Sequence, residues 1–451
     1  MNIFLLLFSI IQEIACDNDK NDFKEDYFYI GLDKILGNKK ERNFIKSLTY
    51  LKQLSEEGDA YSSYIIGLLY QNDENIEQDY EKSLFYFKKS YQQGSVYALN
   101  RIGNCYYHGF GTEKNYTKAV EYFEEAAQLG KSNAMVSLGI CYSNGQGVEK
   151  NSTKAIEYYE KAAKQGNPRA FLELGFLYNN GNGVELNYTK AIEYYEKAAK
   201  FGNSDAIFNL GILHANGQGV EKNSTKAIEY YEEAAKLGEF KGFYNIGVLY
   251  DRGDGVEQNY TKAFEYYEKA AHIHEPEPFF NIGVLYSNGK GVEQNYTKAI
   301  EYYEKAAKLG EPGAFNNLGY LYINGRGVEK NYTKAIEYFE KAAKLGIFEA
   351  FFNLGVLYTN GREVEKNYTK AIEYYEEATK SGNPKAFYNL GVLYDHGEGV
   401  EQNYTKAIEY YEKAAQLGDT KAFYNLGVLY NDGKGVEQNS TKANEYFEKA
   451  I

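Results

Sequence analysis

"NYTKAIEYYEKAAKLG", residues 295–310, recurs with small edits down most of the chain. Its apolar residues Tyr296, Ala299, Ile300, Tyr303, Ala306 and Ala307 fall on one stripe at the helical period. Asn295 is a good N-cap, and Gly310 can take the left-handed conformation that closes a helix. On the other face Glu301 precedes Lys305 and Glu304 precedes Lys308, the favourable order for i,i+4 ion pairs. A different helix follows in "AFNNLGYLY" (314–322), where Ala314, Phe315, Leu318, Leu321 and Tyr322 make a second stripe. After it comes a turn such as "NGRGV" (324–328), with two glycines where positive φ is expected. The unit is thus a helix A of the second kind, a turn, and a helix B of the first kind.

One glycine sets the register. It stands inside helix A at Gly31, Gly67 and every 36 residues onward to Gly427, twelve times without an insertion. A second series, Gly58 to Gly418, ends each helix B and is broken once, by His274. A fixed period of this size marks a solenoid and not a string of globules. The expected fold is therefore all-α, with about twelve 36-residue helix-turn-helix repeats over residues 27–451 and a divergent first repeat. A glycine inside a helix costs about 1 kcal/mol relative to alanine, so the register glycine needs a compensating contact. We expect close approach of helix B through its alanines. In the second repeat Asp73 and Asn75 hold the places of the turn glycines, and Asn tolerates positive φ best among non-glycine residues; Glu363 breaks the pattern and predicts local strain or a reshaped turn. The ends read as caps: "KQLSEEG" (52–58) replaces the alanine pair, and Asn444 takes the place of Ile300.

Composition narrows the class. The chain has 48 Tyr, 44 Gly, 5 Pro and no Trp, and at 43% hydrophobic it can build a core. A formal charge of −13 argues against nucleic acid or an anionic membrane as partner. Cys105 and Cys141 occupy equivalent places in neighbouring repeats, about a helix-packing distance or more apart, which predicts buried free thiols and no bridge. "MNIFLLLFSIIQEIAC" (1–16) has the length of a signal-peptide core, with small residues Ala15 and Cys16 for cleavage, followed by a polar linker (17–26). It lacks a basic residue ahead of the apolar run, and a first helix docked on the body is the alternative. No other stretch is apolar enough to span a membrane.

The recurring pattern A-x-x-N-L-G-x-L-Y-x-x-G-x-G-V-E-x-N-Y-x-K-A-x-E-Y-Y-E-K-A-A-x-x-G resembles the Sel-one-like repeat family, a relative of the tetratricopeptide repeat, over about residues 24–451. The resemblance implies a right-handed α-solenoid that binds protein partners and has no catalysis of its own. It also implies roles such as adaptor in ER-associated degradation, regulator of chitin synthase or secreted bacterial host-interaction protein. One bacterial subgroup ties helix A to helix B by a disulfide, and the absence of helix-B cysteines sets this chain apart from it.

Asn-x-Thr occurs at Asn115, Asn151, Asn187, Asn223, Asn259, Asn295, Asn331, Asn367, Asn403 and Asn439. Each is an N-glycosylation sequon and each is also a helix cap. Asp caps as well as Asn and does so at Asp79, and capping does not ask for Thr two residues on. With the leader, the sugar reading places the chain in the secretory pathway; capping alone leaves it cytoplasmic.

Helix A lines the inner surface of such a solenoid. Two residues before the register glycine stand Asn209, Asn245, Asn281, Asn317, Asn353, Asn389 and Asn425, an amide ladder able to grip an extended peptide. Phe208, Tyr244, Phe280, Phe352, Tyr388 and Tyr424 lie beside it as apolar anchors. The alternative is that these amides bond the neighbouring helix and the rings are core. His272-Ile273-His274-Glu275 lacks further metal ligands and reads as a divergent turn. No nucleophile and base can be assembled, and the G-x-G-V turns lack the strand and Gly-Lys-Ser/Thr of a phosphate loop. The expectation is a monomeric, non-catalytic scaffold with no cofactor that takes a protein or peptide on the concave helix-A surface. It would act in ER quality control, or outside the cell as a surface-recognition protein, or as a cytosolic assembly scaffold.

Overall fold

The structure is a computed structural model that describes residues 44–72, 77–271, 275–361 and 364–450. The leader, Cys16, the unit around Gly31, Asp73, Asn75, His272 to His274 and Glu363 lie outside the described residues. Among the described residues there are helices only, running from Phe44–Glu56 to Ser440–Lys449. The chain divides into two compact units after Glu239. In each, helices A and B of one repeat pack together, and B packs against the next A. This is the stacked helix-pair arrangement of an α-solenoid, and it bears out the all-α repeat fold.

Helix A of the quoted repeat spans Pro312–Asn324, longer than its sequence stripe, and helix B spans Tyr332–Lys344. Gly325 closes helix A in the left-handed region at φ 63°, and Gly327 follows at φ 72°. The chain then turns back on itself: the Asn331 N–H donates to the Tyr322 carbonyl of helix A at 3.0 Å. The Asn331 side chain meanwhile accepts from the Lys334 N–H at 2.9 Å. Asn295 does both in its own repeat, at 2.9 and 3.0 Å.

The register glycine has a different reason from the expected one. A Cβ on Gly319 would lie 2.6 Å from the Phe339 ring of helix B, and one on Gly283 would lie 2.7 Å from Tyr303. The same ring, twenty residues on, sits on every register glycine from Gly67 to Gly427. An aromatic plate, and not the alanines, is what needs the missing side chain. These plates are the floor of the core: Tyr159, Tyr195, Tyr267, Tyr303, Tyr375, Tyr411, Phe87, Phe123 and Phe339 are fully buried.

Helix B differs from expectation on its outer face as well. Ala299, Ile300, Tyr303, Ala306 and Ala307 are buried, but Tyr296 is only half-buried. Glu301–Lys305 and Glu304–Lys308 do not close as ion pairs; the Lys305 ammonium lies 4.7 Å over the Tyr302 ring instead. Tyr302 stacks on Tyr286 at 5.7 Å, and Lys298 lies 5.1 Å over Tyr286. The Tyr302 π-face takes Lys305 in place of the Glu301 carboxylate. Asn444 is exposed, where Ile408 in the preceding helix B is 6% exposed.

Candidate interaction surface

The amide ladder is built on the core plates. Each buried tyrosine ring covers the glycine of its own repeat and points its hydroxyl past helix A toward the next repeat. The Tyr267 hydroxyl donates to Asp251 Oδ2 at 3.3 Å, and the Tyr411 hydroxyl to Asp395 Oδ2 at 3.3 Å. Tyr375 shares a hydrogen bond with Thr359 at 3.1 Å. From the following helix A, Asn281 meets Tyr267, Asn317 meets Tyr303, Asn389 meets Tyr375 and Asn425 meets Tyr411. Burial pushes the Tyr303 phenol up to about 12, against the opposing bonds from Asn317 and Ser287. These four amides therefore have a partner inside the array.

The remaining members differ. Asn209 turns its amide back to the Asp205 carbonyl at 2.7 Å, and the Tyr195 hydroxyl it would have met is buried without a partner. Asn353 is buried, bonding Asn316 at 3.4 Å and accepting from the Tyr320 hydroxyl at 3.3 Å. Asn245 is half-buried. The flanking rings are part core and part rim. Phe208, Tyr244, Phe280, Phe352, Tyr388 and Tyr424 each tilt onto the plate of their own repeat at 5.5–5.9 Å. All are half-buried except Tyr424, which is 57% exposed.

Tyr388, Tyr424 and Asn425 come together with Thr420, Lys421, Phe447 and Ala450 in an open groove of about 870 Å³. Its floor is aromatic, and its rim offers a cation and an amide. Helix-A periodicity in the sequence places the two tyrosines on one face. Lys421 escapes that reading, because one lysine at a helix start looks like ordinary solvated surface.

The ten Asn-x-Thr segments all cap a helix B. Each Asn Oδ1 accepts from the backbone N–H three residues on at 2.9–3.0 Å. Eight of the ten are exposed, and Asn187 and Asn331 are half-buried. Three of the ten threonines have a structural task the sequence did not reveal. Thr261, Thr297 and Thr405 donate to the carbonyls of Gly291, Gly327 and Gly435 in the next repeat's turn, at 3.3–3.4 Å. Those turn glycines press on the same helix start: a Cβ on Gly327 would lie 2.6 Å from Tyr296 Cβ.

The Sel1 repeat model matches eleven segments in series, from residues 60–95 to 421–451. The chain belongs to the Sel1 repeat family. A solved Sel1-like structure, a protective antigen present in uropathogenic Escherichia coli strains, is 31% identical, with a TM-score of 0.70 over 89% of this chain and 86% of that one. A Sel1 repeat protein from Oxalobacter formigenes is 28% identical, with a TM-score of 0.57 over 68% of this chain and 89% of that one. No curated protein matches the chain. Sel1 repeat proteins are generally protein-interaction scaffolds. In this Sel1 repeat chain Cys105 and Cys141 are buried free thiols, pushed up by burial to about 11 and 12 and so kept protonated. Among the described residues, no cluster of three metal-ligating side chains occurs, and no helix is long and apolar enough to cross a membrane.

Proposed function

We propose that this chain is a non-catalytic adaptor of the secretory pathway, acting in ER quality control, that holds an extended segment of a protein partner on its helix-A face. The groove of Tyr388, Tyr424, Lys421 and Asn425 carries the reading. Exposed aromatic anchors beside a cation and an amide are the composition of an interface centre, where one truncated ring costs about 2 kcal/mol or more. Peptides selected from a display library on the full chain should lose at least tenfold in affinity for Tyr424→Ala or Lys421→Glu at unchanged thermal stability. Equal affinity in both variants would remove the groove from the proposal.

The compartment rests on the leader and the Asn-x-Thr edge. The caps use Oδ1 and leave the amide nitrogen, where a sugar attaches, without an internal bond. Asn as cap throughout, and Thr as brace at Thr261, Thr297 and Thr405, are roles that need no sugar, so mobility with and without an N-glycosidase decides between the readings. A large shift means a glycosylated, luminal or extracellular chain; no shift returns the cytoplasmic scaffold. The second reading, a secreted surface-recognition protein, is favoured by the likeness to a protective antigen. It requires the mature chain in the medium and not retained inside the cell.

A further inference from the structure

The other edge of the repeats, where helix B hands over to the next helix A, carries a row of exposed apolar side chains. Helix B of Tyr296–Lys308 ends on Leu309, after which Gly310 N–H donates to the Ala307 carbonyl and Glu311 N–H to the Ala306 carbonyl, both at 3.0 Å. This closure uses backbone groups only. It also forms where the residue before the glycine is polar: after Gln165, Gly166 N–H meets the Ala163 carbonyl at 2.9 Å and Asn167 N–H the Ala162 carbonyl at 3.1 Å. Helix termination therefore does not explain the leucine.

Within residues 240–450, Leu309, Leu345 and Leu417 are 40–50% exposed at this place, and Phe240 and Phe348 stand on the same connections at 43% and 40%. Only Tyr320 and Tyr424 are comparably exposed large hydrophobic residues elsewhere in these described residues. The flanks are charged. Lys308 and Lys344 precede two of the leucines and Gln416 the third, and the carboxylates of Glu311, Glu349 and Asp419 follow two to four residues on. An apolar ridge with lysine on one side and carboxylate on the other is complementary to itself after a half-turn. Knobs repeating every 36 residues also match the spacing of one partner above all, another array of the same kind.

We propose that this edge docks a second copy of the chain in antiparallel fashion, leucine against leucine and lysine against carboxylate. The isologous contact of a two-fold dimer needs this self-complementarity. The five half-exposed side chains by themselves fall well short of the ~800 Å² per copy of a standard stable interface. The dimer is therefore reversible and concentration-dependent, in place of the monomer expected from the sequence. The inference does not depend on the groove or on the sugars; the Asn-x-Thr segments open each helix B, whereas the leucines close it.

Sedimentation velocity of the full chain over a wide concentration range tests it. The weight-average coefficient should climb from monomer to dimer, and Leu309→Glu with Leu345→Glu and Leu417→Glu should move the midpoint up at least tenfold with helical circular dichroism unchanged. Ser381→Leu, which fills the gap in the row, should move it down. If the triple variant loses helix, Lys308→Glu with Lys344→Glu replaces it, expected to weaken the dimer and to recover in part on adding Glu349→Lys. A chain monomeric at every concentration overturns the proposal, as does a dimer whose midpoint ignores these substitutions. A monomer that co-sediments with phosphatidylserine vesicles through the same leucines overturns it too, and assigns the edge to a lipid surface.

Discussion

The repeat around Gly283 presses a tyrosine, Tyr303, onto its glycine; the neighbour around Gly319 presses a phenylalanine, Phe339. Around Tyr303 the hydroxyl has Ser287 and the next repeat's Asn317, and Phe280 tilts onto the ring at 5.8 Å. Around Phe339 the next repeat's amide is still there, as Asn353, but the other two partners have changed. Ile323 stands where Ser287 would, Asn316 where Phe280 would, and the second ring comes from Tyr320, edge-on at 5.8 Å. Tyr320 also supplies the hydroxyl that bonds Asn353. The lesson is that the plate's shape is fixed and its polar end is negotiable: in this pair a hydroxyl reaches the next amide from two different directions.

The largest effect should come from breaking what the two repeats share. Gly319→Leu or Gly283→Leu drives a side chain into the plate and should cost about 3 kcal/mol or more in denaturant unfolding; a loss under ~1 kcal/mol would sink the plate model. Next comes exchange between the repeats. Phe339→Tyr alone buries a hydroxyl beside Ile323, with Asn353 already engaged, and should cost about 1–3 kcal/mol. Asn316→Phe, Tyr320→Val and Ile323→Ser added to it copy the Gly283 repeat and should bring stability back to within about 1 kcal/mol of the parent.

Tyr303→Phe should cost about 1 kcal/mol near neutral pH, since Ser287 and Asn317 lose their partner. Its pH dependence sharpens the comparison. The folded chain holds the Tyr303 phenol neutral up to about 12, whereas an unfolded tyrosine ionises near pH ~10. Stability from this group is whole below that value and is lost as pH climbs from there toward the folded value. The parent should therefore fall faster than Tyr303→Phe in alkaline unfolding, and the gap between them should narrow. Parallel curves would mean that the phenol is not held by the core. Features common to both repeats should give the smallest effects: Asn295→Ala and Asn331→Ala about 1 kcal/mol each for the lost cap, and Thr297→Val about 0.5 kcal/mol for the brace to Gly327.

Much of this was legible because repetition displays each position eleven times or more. Helix stripes, caps and turn glycines follow from local rules, so residues 295–324 were enough to read them. The contacts of the register glycine were not legible in the same way. Gly319 and Phe339 are twenty residues apart, and nothing in either residue's own neighbourhood says that they touch. Their joint variation was available: Ile323, Asn316, Tyr320 and Phe339 depart from the column together. For the same reason the sequence left open whether Asn317 was free for a ligand or bonded to its neighbour, since its partner Tyr303 belongs to the preceding repeat. The brace between Thr297 and Gly327 was not legible either, because it spans thirty residues and leaves no local trace.

The contacts that build residues 240–450 link a residue to one fourteen, twenty or thirty positions further on, and each distance stays inside the repeat or reaches its neighbour. Removing the 36 residues 383–418 would bring Asn425 to the place of Asn389, facing Tyr375, and Gly435 to the place of Gly399, against Thr369. Asp419 would follow Gly382 and cap the next helix A as Asn383 does. Length is thus a free variable for this architecture. A gene encoding it can gain or shed whole units by unequal recombination, and each product inherits working joints, so the reach of the array can be selected without redesigning its core.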